Sequence, residues 1–412
     1  MDRVILHSDM NSYYASVEMM LDPRLKGKAM AVGGSTENRN GIILAKSELA
    51  KKAGVKTAMA LWEARQACPG IIIVPPQYEQ YLKYSRLARE IYSRYTDKVE
   101  SFGMDECWLD VTESVGLYGS GERIAEEIRH TMKHELGLTV SVGVSFNKIF
   151  AKLGSDMKKP DAVTVITREN YKERVWPLPV GELLFVGRAT KAKLNKRGVY
   201  TIGDLARYPD KYIKSWLGKN GLLISAYAKG YDTAPVTPIG YEMQIKSIGH
   251  GITSVADLEN NDEVFAVMQE LTQEVGQKLR KHGLAARGVQ ISVRDKNMSN
   301  KQWQRQMPYH SQCARDISEA AKQLFIDSYR WQENIRAVTV RAINLIPACR
   351  PVQLSFFGDE EKRERLLRLE TSIDEIRSRF GYRSITYASI MGDIKLPGYN
   401  EYRPKMPALS GR

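Results

Sequence analysis

A multidomain α/β fold is expected for this chain of 412 residues. The length exceeds what one hydrophobic core usually organises. Short β-rich runs alternate with helically spaced segments through the first 165 residues and again beyond residue 243. Between these regions lies a stretch of glycine-punctuated short helices and a proline-bearing linker.

The elements follow in order. VILHSD reads as a buried strand ending at Asp9, and NSYYASVEMML behind it has helical spacing. An acid at the carboxyl end of a strand that runs into a helix stands where α/β sheets place ligand groups. From Gly27 to Pro76, short strands (AMAVGG, GIILAK, GIIIVPP) and two helical patterns (SELAKKAG, ALWEARQACPG) suggest a small inserted subdomain. Residues 77–96 form an amphipathic, tyrosine-rich helix. KVESFGMDECWLDV is the clearest hairpin, its arms flanking Gly103, Met104, Asp105 and Glu106. A helix over about 120–136 and the strand TVSVGVSFN complete a β, α, β, β, α, β run, the signature of a ferredoxin-like core. Short helices fill 166–232, and a linker is expected near 231–243. KSIGHGIT, a helix over about 262–282, GVQISVRD, a helix over about 312–328 and IRAVTVRAINL then make a second α/β domain, with no tandem repeat.

Composition narrows the class. The chain is 43% apolar and 26% charged, and no stretch approaches the ~18 consecutive apolar residues of a membrane span, so a membrane protein is not expected. MDRVILHSDM lacks the layout of a secretion signal, so a cytoplasmic location is expected. Cys68, Cys107, Cys313 and Cys349 form no CxxC pair and read as reduced structural thiols. The net charge of +13 is unevenly spread: residues 1–165 are nearly neutral, and most of the excess falls within 166–350. Chemistry in the first part and a grip on a polyanion in the middle would give that distribution.

Nucleotidyl transfer needs hard oxygen ligands to hold two magnesium ions about 3.5–4 Å apart. Asp9 at a strand end and the Asp105–Glu106 pair at a hairpin tip can converge if they lie on adjacent strands. Consecutive strand residues face opposite sides, so both members of the pair reach one site only if the turn breaks that alternation, and Gly103 allows it. Taken alone, three acids capping a strand and a turn are more often ordinary surface residues, since Asp-Glu pairs are common.

DMNSYYASVE, FGMDECWLD and SVGVSFNKIFAKLGSDMKKPDA, in this order and spacing, resemble the palm motifs of Y-family DNA polymerases, and the likeness covers nearly the whole chain. It implies a right-hand polymerase with a ferredoxin-like palm (1–11 and 77–165), small fingers (12–76), a helix-hairpin-helix thumb (166–232), a linker (233–243), a little finger (244–350) and a tail (351–412). It also implies that Asp9, Asp105 and Glu106 bind two Mg2+ ions, with the backbone carbonyl of Met10 completing one site. Tyr14 matches the steric gate, which excludes a 2′-hydroxyl, and Tyr13 should lie near the sugar and triphosphate. Lys159 matches a triphosphate-binding lysine. Lys148 and Lys152 share a helical face, where ordinary solvated lysines are an equal reading.

This chain departs from the family in the fingers. Where a tyrosine and an arginine usually grip the triphosphate, KSELAK places Glu48 and Lys51, and lysine lacks the bidentate fork of arginine. Lys56 is a candidate to compensate. TAMAL replaces the usual glycine and proline that follow.

LLFVGRATKAKLNKRGVYTIGDLA resembles a helix-hairpin-helix pair that would hold a DNA phosphate near Gly187 and Lys191, with Phe185 in place of the first usual glycine. The basic strands of 243–350 would follow the DNA backbone without sequence preference. Gln353, Leu354, Ser355, Phe356 and Phe357 resemble a sliding-clamp-binding peptide, and EEKRERLLRLETSIDEIRSRFG behind it reads as one amphipathic helix. The expected function is template-directed addition of deoxynucleotides to a primer by a monomer, at low fidelity, across lesions and without proofreading. The competing class is a non-catalytic DNA- and clamp-binding subunit.

Overall fold

A computed structural model describes residues 2–34, 41–350, 360–390 and 395–397. The chain divides between Glu242 and Met243 into two compact units.

The first unit opens with β1 (Ile5–Met10), α1 (Tyr13–Leu21), β2 (Met30–Gly33), β3 (Ile43–Lys46), α2 (Glu48–Lys52), α3 (Leu61–Ala67) and β4 (Ile72–Val74). It continues through α4 (Tyr78–Tyr92), β5 (Val99–Ser101), β6 (Glu106–Asp110), α5 (Val115–Tyr118), α6 (Gly121–Leu136), β7 (Val140–Ser145), α7 (Lys148–Met157) and β8 (Val163–Ile166). The main sheet has the order β5-β6-β1-β7-β8. Its first four strands are antiparallel neighbours in the ferredoxin-like arrangement, and β8 joins parallel to β7 through the α7 crossover. A three-stranded sheet, β3-β2-β4, accompanies α2 and α3 in the small subdomain.

β1 is buried at every residue, as a central strand covered on both faces must be. On one face α6 lays down Ile124, Ala125, Ile128 and Met132, a helical stripe. Ser120 caps that helix by accepting from Arg123 N, and Gly137 ends it at φ 67°. On the other face α7 approaches β7 so closely that a Cβ at Gly143 would lie 1.9 Å from the Ala151 carbonyl oxygen. The sequence reading named neither α7 nor β8 as elements, although it placed Lys148 and Lys152 on a helical face.

The loop between α7 and β8 is pinned to the sheet by Asp161. Its backbone N–H donates to Asn11 Oδ1 at 2.8 Å, and its carboxylate meets Arg129 and Lys133, each at 2.9 Å. Beyond β8 come α8 (Tyr171–Arg174), α9 (Arg188–Asn195), α10 (Ile202–Arg207) and α11 (Asp210–Ala228), the last broken at Gly218. Thr201 and Asp204 form the capping box expected at the start of α10.

The second unit contains β9 (Ser247–Leu258), α12 (Asn261–Lys281), β10 (Leu284–Asp295), β11 (Asn300–Ser311), α13 (Ala314–Ser328), β12 (Ile335–Pro347) and α14 (Glu360–Phe380). Its antiparallel sheet runs β11-β10-β12-β9, with α12 and α13 packed over one face. β11 escaped the sequence reading because only Trp303 and Met307 reach the core, while most of its residues are exposed and polar. α14 docks through a buried carboxylate: Glu370 accepts from Ala314 N and Arg315 N at the start of α13, at 2.8 and 3.2 Å, and is ion-paired with Arg280. Arg280 also meets Asp374 at 2.6 Å, and Ile390 and Leu396 enter the core.

The cysteines need one correction. Cys68, Cys107 and Cys313 are buried and free, but Cys349, just past the end of β12, is exposed and is no core thiol.

Gly143→Ala should destabilise the protein by on the order of 3 kcal/mol, because backbone and not a movable side chain opposes the new methyl; the chemical denaturation midpoint reads this. For Asp161, burial raises the carboxyl pKa but Arg129 and Lys133 more than offset it and hold it below 3.8. Its contribution is therefore present above about pH 4 and lost as the pH falls through the folded-state value. Asp161→Asn should cost about 1 kcal/mol at pH 7, with the difference shrinking toward zero in denaturation series run below pH 3.

Candidate active site

In the antiparallel pairing of β1 with β6, Asp9 stands directly opposite Glu106, and paired residues share a face of the sheet. Asp105 lies just outside β6, in the turn that Gly103 makes at φ 100°. Met10 N donates to the Asp105 carbonyl at 3.0 Å, which fixes the peptide between the two acids. Asp105 lies close enough to Glu106 and Asp9 to feel the charge of both.

α7 brings two cations to these acids. Lys159, just past the helix, reaches Asp9 Oδ2 at 2.7 Å and Asp156 Oδ1 at 2.9 Å. Lys152 lies 2.8 Å from Glu106 Oε2 and 3.4 Å from both Asp9 Oδ2 and Asp156 Oδ2. Three carboxylates, Asp9, Glu106 and Asp156, therefore share two ammonium groups. Burial raises the pKa of Asp105, and the charges of Glu106 and Asp9 add to it, leaving the group at about 7. Asp9 is raised by burial too, although Lys159 and Lys152 oppose the effect. Burial also acts upward on Glu106, but His7 and Lys152 outweigh it and hold the group at about 2.

The site thus has hard oxygen donors and excess negative charge, with more carboxylates than ammonium groups beside them. These properties fit divalent cations. Met10 pairs with Val140 in the adjoining strand, and its side chain is buried.

The two tyrosines at the start of α1 differ in surroundings. Tyr13 is buried and spends its hydroxyl on the Tyr81 carbonyl, leaving its backbone as the part able to face a ligand. Tyr14 is half-buried, its ring stacked on Tyr81 with centroids 4.1 Å apart and planes 7° from parallel. Burial, and after it the charge of Asp105, raise the pKa of the Tyr14 phenol.

Lys51 is exposed and pairs loosely with Glu48 at 3.7 Å, while Glu48 Oε1 accepts from Ser12 Oγ at 3.1 Å, beside the start of α1. Lys56 is exposed. Lys46, not singled out from the sequence, donates to Thr57 Oγ1; burial and then the charge of Lys51 lower its pKa. Lys148 binds Glu100 at 2.6 Å and sits over the Trp108 ring, so of the two helix lysines only Lys152 joins the acids.

Sequence reasoning missed His7 and Asp156 and left Lys152 open. His7 lies two residues before Asp9, on the same face of β1; Asp156 lies one turn beyond Lys152. Both spacings carried a signal only once the acids were taken as a site.

Away from the acids, Gly187 caps α9, and Lys191 on that helix is exposed. Phe185 adopts φ 70°, the left-handed backbone of a glycine, with its ring half exposed. In the second unit, Val289, Ile291 and Val293 enter the core while Gln290, Ser292 and Arg294 alternate onto the opposite face. With Gln302, Thr339 and Arg341 they line a shallow groove of about 300 Å³. Residues 353–357 lie outside the described residues. Among the described residues no helix is long and apolar enough to cross a membrane.

Comparison with known proteins places this geometry in a family. Residues 8–156 match the impB/mucB/samB family model, and residues 245–356 match the model of that family's C-terminal domain. DNA polymerase IV of Acetivibrio thermocellus is 48% identical over 95% of this chain and 98% of its own length. DNA polymerase IV of Pelotomaculum thermopropionicum is 38% identical over 93% and 94%. A solved Y-family DNA polymerase chimera superposes with a TM-score of 0.74, at 23% identity, over 83% of this chain and 99% of that one, so the two share a fold. The multidomain α/β architecture and the resemblance seen in the sequence are borne out: the chain belongs to the impB/mucB/samB family and has the Y-family polymerase fold.

Proposed function

We propose that the protein is a template-directed DNA polymerase that extends a primer 3′-end with deoxynucleotides and copies past damaged bases without proofreading. The observation that carries this reading is the pairing of Asp9 with Glu106 at one end of the five-stranded sheet, with Asp105 adjoining and Lys159 on Asp9. The close relatives named DNA polymerase IV support it over a non-catalytic DNA- and clamp-binding role.

In this reading residues 1–11 and 77–165 are the palm, 12–76 the fingers, 166–232 the thumb, 233–243 a linker and 244–350 the little finger. Asp9, Asp105, Glu106 and the Met10 carbonyl hold two divalent cations of the magnesium class. When bound, these supply a lowered pKa at the primer hydroxyl and charge stabilisation on the pyrophosphate leaving group. The carboxylates keep those positions by being buried, opposed and short of cationic partners. Lys159 exchanges Asp9 for the triphosphate when nucleotide arrives, and Lys51 adds charge from the fingers. Tyr14 presents its ring to the sugar at a height set by the stack on Tyr81, leaving no room for a 2′-hydroxyl. The turn at Gly187, with Lys191, and the polar groove of the second unit grip primer-template DNA through its phosphates. Gln353, Leu354, Ser355, Phe356 and Phe357 dock on the sliding clamp. The enzyme works as a monomer in the cytoplasm.

Primer extension with magnesium and each nucleotide tests the reading. The parent should extend an intact template and insert opposite an abasic site, and Asp105→Ala should lower kcat/KM on the order of a hundredfold or more. Equal activity in the two proteins would refute it. Tyr14→Ala should raise ribonucleotide incorporation relative to deoxynucleotide by about tenfold to a hundredfold in the same assay, and unchanged sugar selectivity would remove the gate assignment.

A further inference from the structure

His7 is fully buried in the central strand. On β1 it shares a face with Asp9, and across β6 it pairs with Trp108, whose ring meets the imidazole edge-on at 5.2 Å. Gly143 pairs with it across β7, and the absence of a side chain there lets α7 come down over the imidazole. His7 Nδ1 lies 2.8 Å from Ser155 Oγ on that helix, and Nε2 lies 3.3 Å from Glu106 Oε2.

Counting protons fixes the direction of this chain of contacts. Ser155 Oγ has one hydrogen and two neighbours able to accept it, His7 Nδ1 and the Lys152 carbonyl, each at 2.8 Å. If the hydroxyl donates to Nδ1, the ring proton sits on Nε2 and points at Glu106. If it donates to the carbonyl, Nδ1 must carry a proton, and a neutral ring then turns a bare lone pair toward a carboxylate in a buried site. Every arrangement that avoids two facing acceptors places a proton on Nε2. His7 Nε2 is buried without an aligned partner, a state that buried polar atoms rarely keep, and Glu106 Oε2, which also meets the Lys152 ammonium at 2.8 Å, is an acceptor within its reach at 3.3 Å.

We infer that His7 is a positioning residue: its Nε2–H, directed by Ser155, holds one oxygen of Glu106 so that the other is presented to a divalent cation. The inference rests on the polymerase reading above and extends it to a histidine behind the cation-binding acids, a place where partners of ligating groups commonly set affinity. No bond is made or broken by His7, which touches neither nucleotide nor primer.

The test uses the full chain, with Mn2+ binding followed by the loss of its free-ion electron paramagnetic resonance signal, alongside single-nucleotide insertion kinetics and melting curves. His7→Phe should weaken Mn2+ binding by about tenfold to a hundredfold and lower kcat by a similar factor, while KM for the nucleotide changes by less than about twofold. His7→Gln, which keeps an N–H near the Nε2 position, should recover most of both losses. Ser155→Ala, which removes the directing hydroxyl without touching the ring, should show a smaller loss of the same sign. Parent-like Mn2+ binding and kcat in His7→Phe would overturn the inference. So would equal losses in His7→Phe and His7→Gln that track an equal fall in melting temperature, since packing alone would then explain them. Mn2+ binding in the parent that Glu106→Ala leaves unchanged would instead overturn the two-cation reading, and the inference with it.

Discussion

Mutual repulsion among buried carboxylates is the constraint on which the first unit is organised. Asp9 and Glu106 are forced together by strand register, Asp105 is added by a glycine turn, and all three are largely withdrawn from water. Like charges so placed stay ionised only if cations stand beside them. α7 brings two lysines and one more acid, Asp156, so neutralisation remains incomplete and Asp105 stays near 7. The sheet, the close approach of α7 at Gly143 and the pinned loop at Asp161 are what keep the acids from relaxing apart.

This arrangement also explains the division of labour along the chain. The nearly neutral first 165 residues hold an internally compensated cluster, whereas the basic middle displays its charge outward, on α9 and on the open face of the second sheet. A phosphate backbone is held by exposed charge, and a metal-dependent reaction by enclosed charge.

Much of this was legible in the sequence, for a physical reason. The acids sit at strand ends and a hairpin tip, and strands rich in Ile, Val and Leu with glycine turns announce themselves by pattern. The ferredoxin-like order of the main sheet followed from the succession of elements. β11 was hidden because an edge strand with one solvated face needs few apolar residues, and its Lys, Gln and Arg read as loop. His7 was hidden because a histidine in an apolar run looks like core until the partner of its Nε2 is known. Lys148 and Lys152, indistinguishable by spacing, were separated only by the positions of Glu100 and Glu106 across the sheet. The exposure of Cys349 follows from its place beyond the last strand, which composition does not reveal.

The seating of α14 bears on how the end of the chain can be studied. Glu370 closes the start of α13, and Arg280, almost wholly enclosed, depends on Glu370 and Asp374 for its counter-charge. A shortened protein ending near residue 350, which removes residues 353–357 together with α14, would strand that guanidinium and bare two amides of α13. Loss of partner binding after such a deletion would therefore report a damaged second unit as readily as a missing peptide, and single substitutions at Leu354 or Phe356 separate the two where trimming does not.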